Sequence, residues 1–374
     1  MKIGIDASNL NMGGGKTHII NFLNSIDWSK YPADKIILYA KESLLDLIVD
    51  DSHIIKKTNR YINGNLFSRY YWYLFNFKND VEGIDILFAP GGLYSGNFHP
   101  FVSMSRNMLL FDKNERKRVG LKLRLKLELS RLLQIKSLKR ADGIIFLSDY
   151  AQKTISGELN LEGKCIRRIP HGISSNFRID PEQRSFVQKQ SYNLLYVSHI
   201  YEYKHPWNVV YAVAKLREKG YDIHARIVGG GDPNAILKLK NCITTTTDAT
   251  SYVEYCGNQA YDKIHSFYKE ADVFVYPSTC ENMPNILIEA MSSSLPIVCS
   301  DYPPMPEFIR DAGVLCDPLN VDAIAEAIEK LVSSDSLRKE LSIKAFNYSL
   351  EYDWKRTAVK TMDFIQDVYN KFNK

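Results

Sequence analysis

Short apolar runs alternate with longer stretches of helical periodicity along almost the whole chain. The runs KIGID (2–6), KIILYA (35–40), DILFA (85–89), GIIFLS (143–148), NLLYVS (193–198), IHARIVG (223–229), VFVYP (273–277) and PIVCS (296–300) show little apolar/polar alternation. Strands of that kind are buried on both faces, and intervening helices make them parallel. The polar stretch 170–192 breaks the rhythm, and a second βαβ series starts at NLLYVS. The pattern predicts an α/β protein of two doubly wound, Rossmann-like domains, 1–170 and 190–354, facing each other across a ligand-binding cleft. From about residue 336 the pattern is helical with no later strand. A last helix over about 355–374 is expected to pack back on the first domain. The aromatic run SRYYWYLFNF (68–77) reads as an apolar helix packed in the first domain, with a lipid-facing ridge as its rival.

Composition narrows the class. At 374 residues, with 45% hydrophobic and 24% charged residues, the chain has the make-up of a soluble globular protein. No apolar run approaches the roughly 18 residues of a membrane span. The N-terminus enters a strand with no leader pattern, which predicts a cytoplasmic protein. Six cysteines, none in a CxxC pair, predict reduced thiols and neither a disulfide framework nor a zinc site.

The net charge of +5 is uneven. Residues 1–150 carry 22 Lys and Arg against 15 Asp and Glu, and much of the excess lies in 116–140, with ten basic residues and one acidic. Leucines recur there at two- and four-residue spacings. A short strand at 121–129 competes with a helix, and the length favours the helix. Its readings are a solvated basic face or contact with an anionic membrane or a phosphate-bearing substrate. No aromatic-basic motif points to nucleic acid.

Two stretches carry candidate chemistry. GGGKTH (13–18) follows a strand and resembles the end of a P-loop, but the required first glycine of that motif is Leu10 here. Gly13, Gly14 and Gly15 still place backbone amides near a helix start, where anions are favoured. The denser signal is ADVFVYPSTCENMPNILIEAMSSSLPIVCSD (271–301). A buried strand ends at Pro277, a loop follows, and Pro284 suits the first turn of a helix. Glu281 then lies in the loop and Glu289 inside the helix. Free amides from Met283 to Ile286 would form a diphosphate site at the strand's carboxyl end.

The block ENMPNILIE followed by AMSSSLPIVCSD resembles family 4 of the retaining nucleotide-sugar glycosyltransferases, the glycosyl transferases group 1 of GT-B fold. RADGIIFLSDYAQ (140–152), IPHGIS (169–174), LLYVSHIYEYKHP (194–206), VEYCGN (253–258), AGVLCDP (312–318) and EYDWKRTA (351–358) extend the resemblance in the right order. It implies a hexosyl transfer from a nucleoside-diphosphate sugar, with retention and without a metal or other cofactor. Negative charge grows on the leaving diphosphate, so cations and amides aimed at it are the main catalytic resource. Lys204 is the implied cation. His199 stands where the family usually has Arg, and is only partly charged near neutrality.

By the same resemblance Glu281 contacts the donor sugar and Glu289 the ribose hydroxyls. Gly13–Gly15, Asn258, Asn282, Met283, Pro284 and Asn285 complete the donor site. Gly91 and Gly92 in FAPGGLY (88–94) are expected to be flexible and to line the acceptor cleft with Arg106 and Asn107. Arg106 would hold a phosphate or pair with Asp112, and His171 reads as a linker residue rather than a catalyst. The implied acceptor is a glycan, or one linked to polyprenyl diphosphate, in cell-surface polysaccharide synthesis, with peripheral contact at the inner membrane face. Rival readings are another GT-B sugar-nucleotide enzyme, an epimerase or phosphorylase, or a P-loop-like NTPase.

Overall fold

The computed structural model describes residues 1–10 and 13–373. It divides into two compact units. Unit 1 comprises Met1–Phe111, Gly120–Gly172 and Asp353–Lys374, and unit 2 comprises Asp112–Val119 and Ile173–Tyr352.

Unit 1 is built on seven strands: β1 (Lys2–Asp6), β2 (Lys35–Tyr39), β3 (Ile54–Lys57), β4 (Ile86–Ala89), β5 (Phe101–Met104), β6 (Gly143–Phe146) and β7 (Cys165–Arg168). They form one parallel sheet in the order β3-β2-β1-β4-β5-β6-β7. Unit 2 has six: β8 (Ser191–Val197), β9 (Asp222–Val228), β10 (Val253–Gly257), β11 (Val273–Tyr276), β12 (Ile297–Ser300) and β13 (Val314–Cys316). Their order is β10-β9-β8-β11-β12-β13, again all parallel. The α/β class with two doubly wound sheets is therefore the observed one.

All eight expected strands form. The pattern misses five, and four of them, β3, β7, β10 and β13, are sheet edges. An edge strand buries less and tolerates charge, so IIKK, CIRR and VEYCG carry charged residues, and VLC is only three residues long. The order reverses between β1 and β4 in unit 1 and between β8 and β11 in unit 2, and loops at such switch points bind ligands in open α/β sheets.

The C-terminal helix Trp354–Phe372 belongs to unit 1 and packs against the first helix, Gly13–Asn24. Two expectations need correction. The first domain does not keep all of 1–170: Asp112–Val119, which holds the helix Lys113–Arg118, is part of unit 2. Residues 121–129 open the basic helix that the length favours, Leu121–Arg140. The aromatic helix, Leu66–Phe75, buries Trp72 completely but leaves Phe67, Tyr70, Tyr71, Leu74 and Phe75 exposed.

The segment leading into β8 is fixed by one cation. Arg184 donates from Nε to Ser293 O at 2.6 Å, from Nη1 to Ala271 O at 2.8 Å and from Nη2 to Tyr268 O at 2.6 Å. Burial pushes its guanidinium down to about 10. Three carbonyls lose their donor in an Arg184→Ala variant. We expect it to lose on the order of 3 kcal/mol of stability in urea unfolding, with Arg184→Lys recovering only part.

Candidate active site

The site in unit 2 starts from two loops at the switch point. The loop after β8 turns through a short 3-10 segment, Glu202–Lys204, and His205 then takes a left-handed conformation (φ 47°) before the helix Pro206–Glu218. The loop after β11 runs from Pro277 to Pro284. Because β8 and β11 are hydrogen-bonded neighbours, the two loops meet. Thr279 donates its amide to Tyr203 O at 2.9 Å, and its hydroxyl lies 3.1 Å from His205 Nε2. Burial holds His205 down at about 4, so a neutral ring faces Thr279 near neutrality.

These bonds bring Lys204 and Glu281 together across 77 residues of sequence. Lys204 is buried, at 6% exposure, and its Nζ ion-pairs with Glu281 Oε1 and donates to Tyr276 Oη at 2.9 Å. Glu281 Oε1 also accepts from the Tyr276 hydroxyl and, at 2.8 Å, from Ser278 Oγ. Burial and the adjacent carboxylate drive the Tyr276 phenol well above its ordinary value, so it stays protonated and donating. A buried ammonium without a partner would be strongly destabilising. Here it has a carboxylate, a phenol and the faces of Tyr203 and Tyr276, at 5.2 and 5.3 Å.

A third chain segment braces the same loop. Glu115, on the helix Lys113–Arg118, accepts from Thr279 Oγ1 at 2.8 Å and pairs with Arg118 at 2.8 Å. Asp112 starts that helix by capping the amides of Asn114 and Glu115, each at 2.9 Å. Of the two readings of Arg106, the pair with Asp112 does not form: Arg106 has no ion pair among the described residues, and its Nη1 is enclosed without a hydrogen-bond partner.

Glu289 is a buried residue of the helix Asn285–Ser292. It is 6% exposed and accepts from Tyr268 Oη at 3.0 Å and Tyr261 Oη at 3.4 Å. Burial outweighs both bonds and pushes its carboxyl up to about 7. Pro284 precedes the helix as its N-cap instead of standing in the first turn, and its carbonyl takes the amides of Leu287 and Ile288. The Asn285 amide goes to Met283 O at 3.0 Å, so the expected row of free amides from 283 to 286 is shorter. Asn282 and Met283 are buried beside it.

Two other expected residues stand apart from this cluster. His199 is exposed after β8, with its ring 6.5 Å from that of Tyr201, and none of the site's hydrogen bonds described above involves it. Asn258 is exposed after β10, its side chain resting against Gly230.

In unit 1, Gly13–Gly15 form the first turn of the helix Gly13–Asn24 and not a loop ahead of it. A Cβ on Gly15 would lie 3.0 Å from Leu10 Cδ2 and 3.9 Å from Arg106 Cζ. Leu10, the residue that breaks the P-loop motif, thus fills the space above that turn. Burial lowers Arg106 to about 10. His18, on the same helix, is fully buried, and its ring stacks on His171 at 4.6 Å.

Gly91 and Gly92 stand where a side chain would not fit. A Cβ on Gly91 would run into the Asn9 side chain, and Gly92 holds φ +72° with Met104 O 2.6 Å from where its Cβ would stand. Asn107 caps the turn Met108–Leu110 by accepting from Leu109 N at 3.0 Å.

Sequence reasoning missed Tyr261, Tyr268, Tyr276, Thr279, His205 and Glu115. Tyr276 and Thr279 lay within the quoted 271–301 block. Nothing in the sequence pairs residue 115 with residue 279.

The two doubly wound parallel sheets match the GT-B architecture of solved glycosyltransferases. Sucrose-phosphate synthase from Thermosynechococcus elongatus shares the fold, with a TM-score of 0.78 at 15% identity, covering 99% of this chain and 100% of that one. Anabaena HepE in complex with UDP and glucose shares it at 0.71 and 16% identity, covering 98% and 99%. Residues 179–348 match the family of Glycosyl transferases group 1, and this part of the chain is a domain of that family. The chain is 31% identical over 112 residues to the O-antigen chain mannosyltransferase B of Escherichia coli, covering 30% of this chain and 29% of that protein. It spans about half the length of the curated relatives it matches, from 29% to 60%.

The buried Glu289 gives a pH signature. Its folded value, about 7, exceeds the ordinary 4.5. The neutral carboxyl is therefore the better-tolerated form, and its contribution is complete below about pH 4.5 and lost as pH rises through 7. Ligand-free stability is expected to fall by up to about 3 kcal/mol across that window. Glu289→Gln should flatten the fall, as read by urea midpoints against pH.

Proposed function

We propose that the protein is a retaining, metal-independent glycosyltransferase, moving a hexosyl group from a nucleoside-diphosphate sugar to a glycan or lipid-linked glycan. The observation that carries this reading is the Lys204–Glu281–Tyr276 cluster at the switch point of a glycosyl transferases group 1 domain. In the reaction the bond from the sugar's anomeric carbon to the diphosphate oxygen breaks, and a bond to the acceptor oxygen forms on the same face. The acceptor's proton passes to the departing diphosphate. Negative charge develops on that diphosphate, and a preorganised ammonium, Lys204, stabilises it without reorganisation.

Glu281 orients Lys204 and accepts from the donor sugar's hydroxyls. Glu289 accepts two hydrogen bonds from the ribose. The helix start at Asn282–Asn285, the turn at Asn258 and the amides of Gly13–Gly15 complete the donor site, with His199 in a minor electrostatic role. Gly91, Gly92, Arg106 and Asn107 are assigned to the acceptor. The UDP bound to HepE and the O-antigen role in the name of the Escherichia coli relative favour a nucleotide-sugar donor and a cell-surface polysaccharide product. The +7 balance of residues 1–150 favours an anionic, polyprenyl-diphosphate-linked acceptor, met at the cytoplasmic membrane face by a peripherally bound enzyme.

A thermal-shift panel of UDP-, GDP- and ADP-sugars is expected to single out one nucleotide, because ligand binding stabilises the fold. With that donor, Glu289→Ala should weaken binding about a hundredfold. Lys204→Ala should cut kcat by roughly 10²–10³-fold. EDTA should leave turnover unchanged, and the products should be nucleoside diphosphate and glycosylated acceptor. Normal donor affinity in Glu289→Ala, or an isomerised sugar nucleotide as the product, would overturn the reading.

A further inference from the structure

Two helices of unit 1 carry their apolar stripes on the outside. In the aromatic helix, Phe67, Tyr70, Tyr71, Leu74 and Phe75 recur at i, i+3, i+4, i+7 and i+8, the spacing of a core-facing stripe. These are the exposed residues, and Phe67 is 81% exposed. The opposite side does the packing: Trp72 is buried, Tyr73 donates to Asp6, and Arg69 donates to Ser8 O at 3.4 Å.

The basic helix behaves alike. Leu127, Gln134, Ser137 and Leu138 make its buried side. Leu121, Leu125, Leu129 and Leu132 form a second stripe about half a turn away, and Leu125 is 64% exposed. Arg124, Lys126, Lys136 and Lys139 are exposed around that stripe. The helix's one acidic residue, Glu128, lies 3.9 Å from Arg131.

Both helices lie on one face of the sheet. The crossovers β3→β4 and β5→β6 run in the same direction along the strand order, whereas β1→β2 runs the other way. Right-handed connections therefore place these two helices together, opposite the first helix. Tyr94 touches both: its ring is 6.1 Å from that of Tyr73, and its amide donates to Ser137 Oγ at 3.2 Å.

We propose that this face is a membrane-docking surface, with an anionic lipid bilayer as its occupant. Phenylalanine, tyrosine and leucine enter the headgroup boundary while the lysines meet lipid phosphates, the division of labour of an interfacial amphipathic helix. A second copy of the chain fits less well. A two-fold pairing would set the patch against itself and oppose lysine with lysine. The inference deepens the membrane-face reading above by naming the surface that makes the contact, and it rests on that reading.

The test uses the full chain, without donor or acceptor, in co-sedimentation with vesicles. Phosphatidylglycerol-containing vesicles should bind it at low salt at least tenfold more tightly than phosphatidylcholine alone, with the difference shrinking as salt rises. Lys126→Glu/Lys136→Glu/Lys139→Glu should lose affinity by roughly fivefold per lysine. Leu125→Ser/Leu129→Ser/Leu132→Ser and Phe67→Ser/Phe75→Ser should each lose at least tenfold, with urea midpoints unchanged because the side chains are exposed. No binding by the parent, or full binding by both apolar variants, overturns the proposal. So does a dimer in light scattering that the leucine variant splits without loss of vesicle binding. Glycosyl transfer is read separately: a chain that binds vesicles but transfers no sugar sinks only the enzymatic reading.

Discussion

The buried ammonium of Lys204 constrains the geometry of unit 2 around it. A cation at 6% exposure is tolerable only with its partners in place, and its carboxylate partner comes from another loop. The two loops can supply each other only because β8 and β11 are adjacent at the reversal of strand order. Thr279 then locks them, through its amide to Tyr203 and its hydroxyl to His205 and Glu115. The result is a positive charge whose position is set before any substrate arrives. An electrostatic catalyst needs that property, since a side chain that had to reorganise would return part of its stabilisation.

Glu289 shows the opposite arrangement, and the contrast separates two tasks. Its carboxyl has two phenols and, among the described residues, no ion pair, so burial prevails and its proton is held to about pH 7. A carboxylate accepts up to about four hydrogen bonds, and two tyrosines use only part of that capacity. Hydroxyl groups of a bound ligand suit the remainder, because they solvate the charge without bringing another one. Lys204 and Glu281 instead neutralise each other. Glu289 is a neutral-pH carboxyl awaiting donors.

Most of the architecture was legible in the sequence, because parallel central strands read as unbroken apolar runs. Edge strands such as IIKK and CIRR did not, since none of their residues is fully buried and charge is tolerated there. In the site, Glu281 and Glu289 were read from the ENMPNILIE block and Lys204 from LLYVSHIYEYKHP. Their supports were not. Tyr268 reaches Glu289 across 21 residues and Glu115 reaches Thr279 across 164, and neither contact leaves a local spacing. Leu10 misled in a different way: it reads as a defect in a phosphate loop, yet it packs over the helix turn that the glycines open.

Hydrophobic periodicity also has a direction that sequence does not supply. The i, i+3, i+4 stripe of the aromatic helix states that something apolar covers that side, and nothing more. The covering cannot be the sheet here, because the sheet side is already satisfied. Trp72 fills the core against Tyr39 and Phe77, and Tyr73 is held by the buried carboxylate of Asp6 at the end of β1. Rotating the helix to bury Phe67 and Phe75 would strand Asp6 and expose Trp72, each a larger loss than leaving phenylalanines in water. The same holds for the basic helix, where Ser137 and Gln134 are committed to the loop after β4. The core was thus closed with polar and apolar groups chosen for fit, and the surplus hydrophobicity of both helices was left for a partner outside the fold.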